Sequence, residues 1–382
     1  DIPGTRRAIY DRVLSAASNI APFNNGRREM RIVDVHYRPG DPEDYTPAEH
    51  KRAILENRTL GRRLRGTVVL RDIPTGKELD RKTLTLATVP WLSGDGAFVS
   101  NGVDTSVSHQ MRLRPGSYTR VKQTGEIENH VNVLPGKGPS HRYRLDPETG
   151  KFVVEIHQAQ LPLMPLLRAA GLTDQELEAA WGAHGKELVA LQRESDTPHN
   201  LARVYKAVAG RKADANFAQM TRPEQLQALA SLLPSWEIDS DISQKTLGGA
   251  YSTIDKDALK AITSKLIRVA AGEDEVDDRD QLAYQKVLGP DDLFAERIAR
   301  DYGRTQRGLF NEAARRGNLQ HLSPGILQKQ LQSVFTKSGL ANSLEEANPS
   351  EILDRVYRVS RMGAGGLPST DSIPHEPRMV RP

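Results

Sequence analysis

The chain has 382 residues, of which 37% are hydrophobic, 27% charged and 5% aromatic. The length allows two or three domains, and the composition is that of a globular protein and not of a disordered chain. The sequence contains no cysteine, which excludes disulfides, thiolate metal sites and cysteine nucleophiles and fits a reducing compartment. Lys and Arg total 53 against 49 acidic residues, a net charge of +4, which permits a polyanionic partner without requiring one.

Targeting signals are not evident in the sequence. No stretch approaches the roughly 18 apolar residues of a membrane span, and no signal peptide opens the chain, so we expect no membrane partner. The chain begins with Asp1, and its last residues, around Pro382, have no helix-stop character. We therefore expect a piece of a longer chain or a processed subunit.

The first part of the chain is predicted to be rich in strands. Residues 1–30 indicate a helix followed by a polar loop, and residues 31–45 indicate a strand closed by a turn. Between residues 60 and 120 the apolar period is two, as in strands, with turn signals at 73–76 and 93–96. Residues 141–156 predict another hairpin, whose turn spans 146–150.

After residue 160 the chain is predicted to be mainly helical. Capping-box patterns start at Thr173 and Thr221, where a hydroxyl caps one free N–H and a Glu three residues later reaches back. Amphipathic spacing and stop signals predict further helices over 257–271, 291–304 and 325–335. Asn348 and Pro349 open a last helix, which ends in glycines at 363–366.

No motif in the sequence predicts a catalytic or metal site. The glycine-rich stretches at 134–139 and 363–366 match neither a Walker loop nor a dinucleotide fingerprint. The acidic run 274–280 lacks the Gly and the closing Glu of an EF-hand loop. A solvated connector between helices is therefore the preferred interpretation of this run.

Two groups of basic residues remain. For the first a solvated face is the favoured interpretation; its members are Arg58, Arg62, Arg63 and Arg65. The second lies at three-residue spacing in the last helix, beside an apolar stripe, and comprises Arg355, Arg358 and Arg361. A helix with one packed and one cationic side can hold phosphates, and the pattern alone leaves this open. The residues by themselves predict a multidomain α+β protein, with polyanion binding as an open alternative.

Residues 89–116 contain a long motif. It reads V-P-W-L-S-G-D-G-A-F-V-S-N-G over 89–102, followed by Val107, Gln110, Met111 and an R-P-G at 114–116. This run resembles the patterns I-P-L-M-T-x-x-G-T-F-V-I-N-G and V-x-x-Q-L-x-R-S-P-G of bacterial RNA polymerase β subunits. Other patches resemble the same family in the same order, and they lie at 133–147, 161–169, 272–282 and 335–367. Their collinear order argues against chance.

The resemblance implies a multidomain α+β architecture. A discontinuous, mixed α/β protrusion would comprise residues 1–118 and 278–336. A mainly helical lobe, residues 119–277, would be inserted into it, and the start of the fork would occupy 337–382. The resemblance covers roughly residues 30–382 and is faint between about 180 and 255.

The family implies a part of DNA-directed RNA polymerase that holds DNA and nascent RNA. The catalytic Mg²⁺ would lie in a β′-type partner subunit, so we expect no catalytic residue and no cofactor or metal in this chain, and no activity alone. Asp280 and Leu367 match positions that pocket an unpaired base of the non-template strand. The residues expected beside the nascent RNA or other nucleic acid are Ser338, Asn342, Glu345, Arg355, Arg358, Ser360 and Lys137.

Several positions depart from the family pattern. The family has Gln, Asp and His where this chain has Asn342, Glu345 and Arg355, and these positions help bind rifamycins. We therefore predict that an enzyme containing this chain resists rifampicin. Gln285 occupies the place of an Arg in the base pocket, which puts that pocket in doubt.

The divergence, the small lobe and the break after the fork resemble the split β subunits of giant bacteriophages. The implied partners are a β′-type subunit, a C-terminal β half, an initiation factor, both DNA strands and nascent RNA. The implied location is the cytoplasm of a bacterial host cell, or a virion. The alternative is a non-catalytic nucleic-acid-binding or assembly protein built on the same scaffold, and an independent enzyme ranks third.

Overall fold

The chain forms two compact units, and the second is inserted into the first. The first unit comprises residues 1–112 and 286–382, and the second comprises residues 113–285. Each combines helices with antiparallel strands, so the predicted multidomain α+β class is confirmed. The boundaries of protrusion, lobe and fork stay predictions. The structure is a computed structural model that describes residues 2–122, 124–134, 137–146, 148–210, 214, 216–233, 236–344, 349–350, 354, 357–366 and 379–380.

The first unit begins with a helix and a four-stranded antiparallel sheet. Helix α1 spans Ile2–Ser18, and the sheet has the order β1-β2-β3-β4, with strands Phe23–Asn24, Arg28–Tyr37, Gly61–Asp72 and Glu78–Pro90. Val68 and Leu70 of β3 and Leu84 and Leu86 of β4 pack into the same core at alternate positions, because successive side chains of a strand point to opposite faces. Helix α2 (Pro47–Leu55) lies between β2 and β3 in the chain and starts with a capping box on Thr46.

Two small sheets contain strands of the motif of residues 89–116. One has the order β14-β6-β5, formed by Ala341–Ser343, Val103–Val107 and Phe98–Ser100. The other has the order β13-β7-β15-β16, formed by Gln285–Leu288, His109–Leu113, Val359–Ser360 and Met379–Val380. Each sheet therefore joins strands from distant parts of the sequence.

Two helices complete the first unit in the part of the chain that is described. Helix α10 spans Pro290–Arg316 and α11 spans Gln328–Lys337. The predicted helix end at residue 304 was wrong, since α10 runs on to Arg316 and stops at Gly317 with a left-handed φ of 76°. Helix α10 packs along α1, and Ile9, Phe294 and Phe310 are buried in the shared core. This packing outweighs the weak helix propensity of Gly303 and Gly308 within it.

The second unit has a five-stranded antiparallel sheet with helices. The sheet order is β12-β11-β10-β9-β8, formed by Ala159–Pro162, Phe152–Ile156, His141–Leu145, Ile127–Asn132 and Gly116–Val121. The helices α3 to α9 span Met164–Ala169, Asp174–Trp181, Gly185–Arg193, Pro198–Ala209, Arg222–Ala230, Ser240–Leu247 and Lys256–Ala270. Both predicted capping boxes, at Thr173 and Thr221, are present. The unit has its own apolar core, which includes Tyr143, Phe152 and Trp236.

Candidate nucleic-acid interface

Within the first unit, strands β6 and β7 of the motif pair with β14 and β15, which are described parts of the segment 335–367. Strand β14 pairs antiparallel with β6, with Asn342 opposite Ser106, and β15 runs parallel to β7, with Ser360 opposite Gln110. The Ser108 amide donates to the Leu340 carbonyl, and the His109 amide to the Arg358 carbonyl, each at 2.9 Å. The strands of the motif therefore fix the path of the segment that carries the predicted site.

The buried side chain of Gln110 forms hydrogen bonds to the backbone of residues 362–364. Its amide donates to the carbonyl of Met362 at 2.7 Å and, more weakly, to that of Ala364 at 3.4 Å. Arg112 donates to the Ala364 carbonyl at 2.8 Å and to the Glu296 carboxylate at 2.6 Å. Because buried polar groups are costly to leave unpaired, these bonds hold residues 363–366, here called the glycine loop, in one conformation.

Glycines of the glycine loop lie too close to neighbouring atoms to carry a side chain. Gly363 has a left-handed φ of 100°, and a Cβ there would lie 2.6 Å from the Ser338 carbonyl oxygen. Gly365 has a φ of 90°, and its Cβ would lie 2.7 Å from the Arg112 guanidinium carbon. Glycine is the residue that combines this backbone conformation with such close contacts.

Ser338 and Ser360, both predicted to contact RNA, are buried, with 4% and 6% of their surface exposed. The Ser338 hydroxyl donates to the Val334 carbonyl and accepts from the Leu340 amide at 3.0 Å. The Ser360 hydroxyl accepts from the Met362 amide at 3.1 Å. Both hydroxyls therefore shape the backbone next to the predicted interface, and direct contact with RNA stays a prediction.

Arg358 and Asn342 reach the surface of the first unit. Asn342 is exposed on β14. The Arg358 guanidinium donates to Asp354 at 2.7 Å, and 29% of the Arg358 side chain is exposed. A partly exposed ion pair of this kind contributes little stability, so Arg358 can exchange Asp354 for a phosphate, which a guanidinium binds with two parallel hydrogen bonds.

The other predicted site residues fall elsewhere. Lys137 and Asp280 belong to the second unit, where half-exposed Lys137 pairs with Glu237 at 2.8 Å and Asp280 is exposed. Glu345, Arg355 and Leu367 lie outside the described residues. The structure thus brings four predicted positions together in the first unit: Ser338, Asn342, Arg358 and Ser360.

The acidic run 274–280 contains one residue, Asp277, that is buried and not solvated as predicted. Most of its side chains are exposed, but that of Asp277 is only 8% exposed and pairs with Lys265, itself 5% exposed, at 2.8 Å. Burial raises the pKa of Asp277, and Lys265 opposes that rise. The interpretation as a solvated connector is therefore wrong for Asp277, which anchors the run to α9. The signal was Lys265 itself, a cation on the apolar face of an amphipathic helix.

Arg62 is likewise packed and not solvated. Its side chain is 18% exposed, and its guanidinium lies over the rings of Tyr37 and Tyr10, at 4.7 and 5.3 Å from their centroids. Guanidinium groups are attracted to aromatic faces at these distances. The predicted solvated face is therefore wrong for Arg62, whereas Arg58 and Arg63 are exposed.

The described residues show neither a metal-binding cluster nor a membrane span. No group of three or more His, Cys, Asp or Glu side chains in that part of the chain is arranged to hold a metal ion. In the same residues, no helix has both the length and the apolar character needed to cross a bilayer.

The chain is similar to β subunits of DNA-directed RNA polymerase. It is 25% identical over 379 residues to those of two strains of Thermus thermophilus, and 24% identical over 380 residues to that of Thermus aquaticus. Each match covers 90% of this chain and 32% of the relative, in its N-terminal part. The chain thus spans about a third of the length of these relatives. No family model matches it, and the origin in a giant bacteriophage stays a prediction.

Proposed function

We propose that this chain is the N-terminal portion of a β-type subunit of a multisubunit DNA-directed RNA polymerase. In this role it holds DNA and nascent RNA and contributes no catalytic residue. The observation that carries the proposal is the collinear similarity to β subunits over nine-tenths of the chain. The pairing of the motif strands with the segment of the predicted RNA wall supports it, since both segments resemble that family.

In the proposed role, the first unit forms one wall of the RNA path. Arg358 supplies positive charge next to the transcript, and Asn342 supplies an amide that can donate or accept hydrogen bonds. Gln110 and Arg112 act as positioning residues, because they hold the glycine loop beside Arg358. The catalytic Mg²⁺ belongs to a β′-type partner subunit, so nucleotide addition takes place only in the complex.

Co-purification from the native source tests the proposal. A tagged chain should bring down a β′-type subunit and the C-terminal part of a β subunit. The complex should synthesise RNA on a DNA template, and the isolated chain should not. Recovery of the chain alone, or with structural proteins only, would favour the alternative of an assembly protein built on the same scaffold.

Arg358→Gln within that complex tests the RNA-contact role. Loss of one phosphate contact should weaken retention of the transcript and reduce the dependence of complex lifetime on salt. Lys77→Gln is the matched control, since Lys77 is exposed between β3 and β4 of the first unit and is not among the positions predicted to contact nucleic acid. Equal transcript retention in the Arg358 variant and the control would contradict the assigned role.

A further inference from the structure

A groove of about 280 Å³ lies in the first unit next to the proposed RNA wall. One side is formed by α11, through Lys329, Gln332, Ser333, Phe335, Thr336 and Lys337, and the other by Ser100 and Asn101 of the β5–β6 turn. Lys337 is followed directly by Ser338 and then by β14, so the groove borders the segment that carries Asn342. None of the predicted site residues lines it.

The lining of the groove is basic or neutral. Lys329 and Lys337 are both exposed, and no Asp or Glu is among the described residues that line the groove. The two lysines are eight positions apart on α11, about 12 Å along the helix axis at a rise of 1.5 Å per residue. A ligand with repeated negative charges can therefore contact both ammonium groups, whereas a single small anion reaches one.

The hydrogen-bonding groups of the groove favour an acceptor-rich ligand. The hydroxyls of Ser333 and Thr336 donate to helix carbonyls, at 2.6 and 3.2 Å. The Thr59 hydroxyl donates to the Asn101 side-chain carbonyl at 3.3 Å, which leaves the Asn101 NH₂ group as a donor. The donors in the lining thus include the two lysines, the side-chain amides of Asn101 and Gln332 and the Ser100 hydroxyl, and donors of this kind match phosphate oxygens.

Phe335 adds an aromatic surface to the groove. Its ring is half-buried and is supported from behind by Phe98 and Phe294, with ring centroids at 5.7 and 5.6 Å. A rigid aromatic side chain beside a cationic track is the combination by which proteins bind single-stranded nucleic acids without reading their sequence, through base stacking and phosphate contacts. This feature favours a single strand over a polyanion without bases.

We infer that the groove between α11 and the β5–β6 turn binds a segment of single-stranded nucleic acid. Lys329 and Lys337 contact its backbone phosphates, and Phe335 stacks on a base. The inference rests on the proposed function for its setting, since the groove would lengthen the nucleic-acid wall beyond Arg358. It assigns the contact to residues that are not among the positions the resemblance predicts to contact nucleic acid.

Binding of labelled single-stranded RNA and DNA to the full 382-residue chain tests the inference. Affinity should be measured by fluorescence anisotropy across a salt series for the wild type and for the double variant Lys329→Gln, Lys337→Gln. Each lost phosphate contact should lower the slope of log affinity against log salt by about 0.7, so the double variant should lose about 1.4. The matched control is Lys77→Gln, Lys186→Gln, which removes the same charge from exposed sites that do not line the groove and should keep the wild-type slope.

Two further arms separate the ligand classes. An oligonucleotide of abasic sites should bind less tightly than the normal strand, because it cannot stack on Phe335, and inorganic polyphosphate should compete weakly. An unchanged slope in the groove variant, an equal loss in the control, or no salt-dependent binding by the chain would overturn the inference. Equal affinity for polyphosphate and the oligonucleotide would overturn its nucleic-acid part. Co-purification with polymerase subunits does not depend on these lysines. The test of the proposed function is therefore independent of the test of the groove.

Discussion

At the scale of single residues, the candidate interface depends on one buried amide and the glycines that it holds. Gln110 donates to the Met362 carbonyl, directly before the glycine loop, and to the Ala364 carbonyl within it, and Gly363 lies against the Ser338 carbonyl. Neither residue offers a group to a ligand. Their effect on nucleic acid would be indirect, through the position of Arg358, whose carbonyl is bonded to the strand that carries Gln110.

Gly363→Ala should destabilise the first unit by about 1–3 kcal/mol, because the backbone would remain in a conformation unfavourable for alanine. The new Cβ would also meet the Ser338 carbonyl oxygen at 2.6 Å. The free energy of unfolding in urea measures the effect. The control is Gly94→Ala, where a Cβ has open space and the change should stay within about 0.5 kcal/mol. Equal stability of the two variants would show that the close approach is not a constraint.

At the scale of elements, one charged side chain can both cap the start of a helix and form an ion pair with another helix. Thr173 and Glu176 form a capping box at the start of α4, and Glu176 also bonds Lys256 of α9 at 2.6 Å. These bonds lower the pKa of Glu176 from 4.5 to about 2, with Lys256 the largest cause. The capping box at Thr221 has no such cation, and the pKa of its Glu224 is lowered by Thr221 alone.

Glu176→Gln should therefore remove a stabilisation that depends on pH. Because the folded-state pKa is lowered, the charged form stabilises the protein above pH 4.5, and this contribution is lost as pH falls toward 2. Glutamine keeps the capping geometry but not the charge. The difference in melting temperature between wild type and variant should shrink over that range, and Glu224→Gln should show a smaller pH-dependent difference. A difference that is constant with pH would rule out the charge as the cause.

At the scale of the whole molecule, the described residues form a large apolar core in each unit. One includes Ile9, Phe294 and Phe310 and draws on both ends of the sequence, whereas the other lies entirely within residues 113–285. The inserted unit begins in β7 and returns in β13, which are neighbours in one sheet. A unit with its own core and adjacent entry and exit points has the properties of an independent domain.

A fragment of residues 113–285 should therefore fold on its own. Circular dichroism should show a single cooperative thermal transition, because the sheet β8–β12 and its helices keep the whole of their core. A fragment of equal length over residues 60–232 cuts through both units and should unfold without cooperativity. A non-cooperative transition in the first fragment would contradict independent folding.

The proposed polymerase should also resist rifampicin. The resemblance implies that rifamycins bind partly through Gln, Asp and His at the positions where this chain has Asn342, Glu345 and Arg355. Of these, Asn342 is exposed on β14. RNA synthesis by the purified complex should continue at drug concentrations that stop a sensitive bacterial enzyme. The triple reversal Asn342→Gln, Glu345→Asp, Arg355→His should increase sensitivity. Inhibition of the unmodified complex at low drug concentration would refute the prediction.

The sequence by itself determined the local structure of this protein. The period-two strands, the turn at 93–96 and the capping boxes at Thr173 and Thr221 depend on residues a few positions apart, and all are found in the structure. Only the tertiary structure decided that Gln110 bonds Met362, 252 positions away, and that Ser338 and Asp277 are buried. Such contacts form when strands and helices pack, and local propensity carries no information about the partner of a polar side chain so far along the chain.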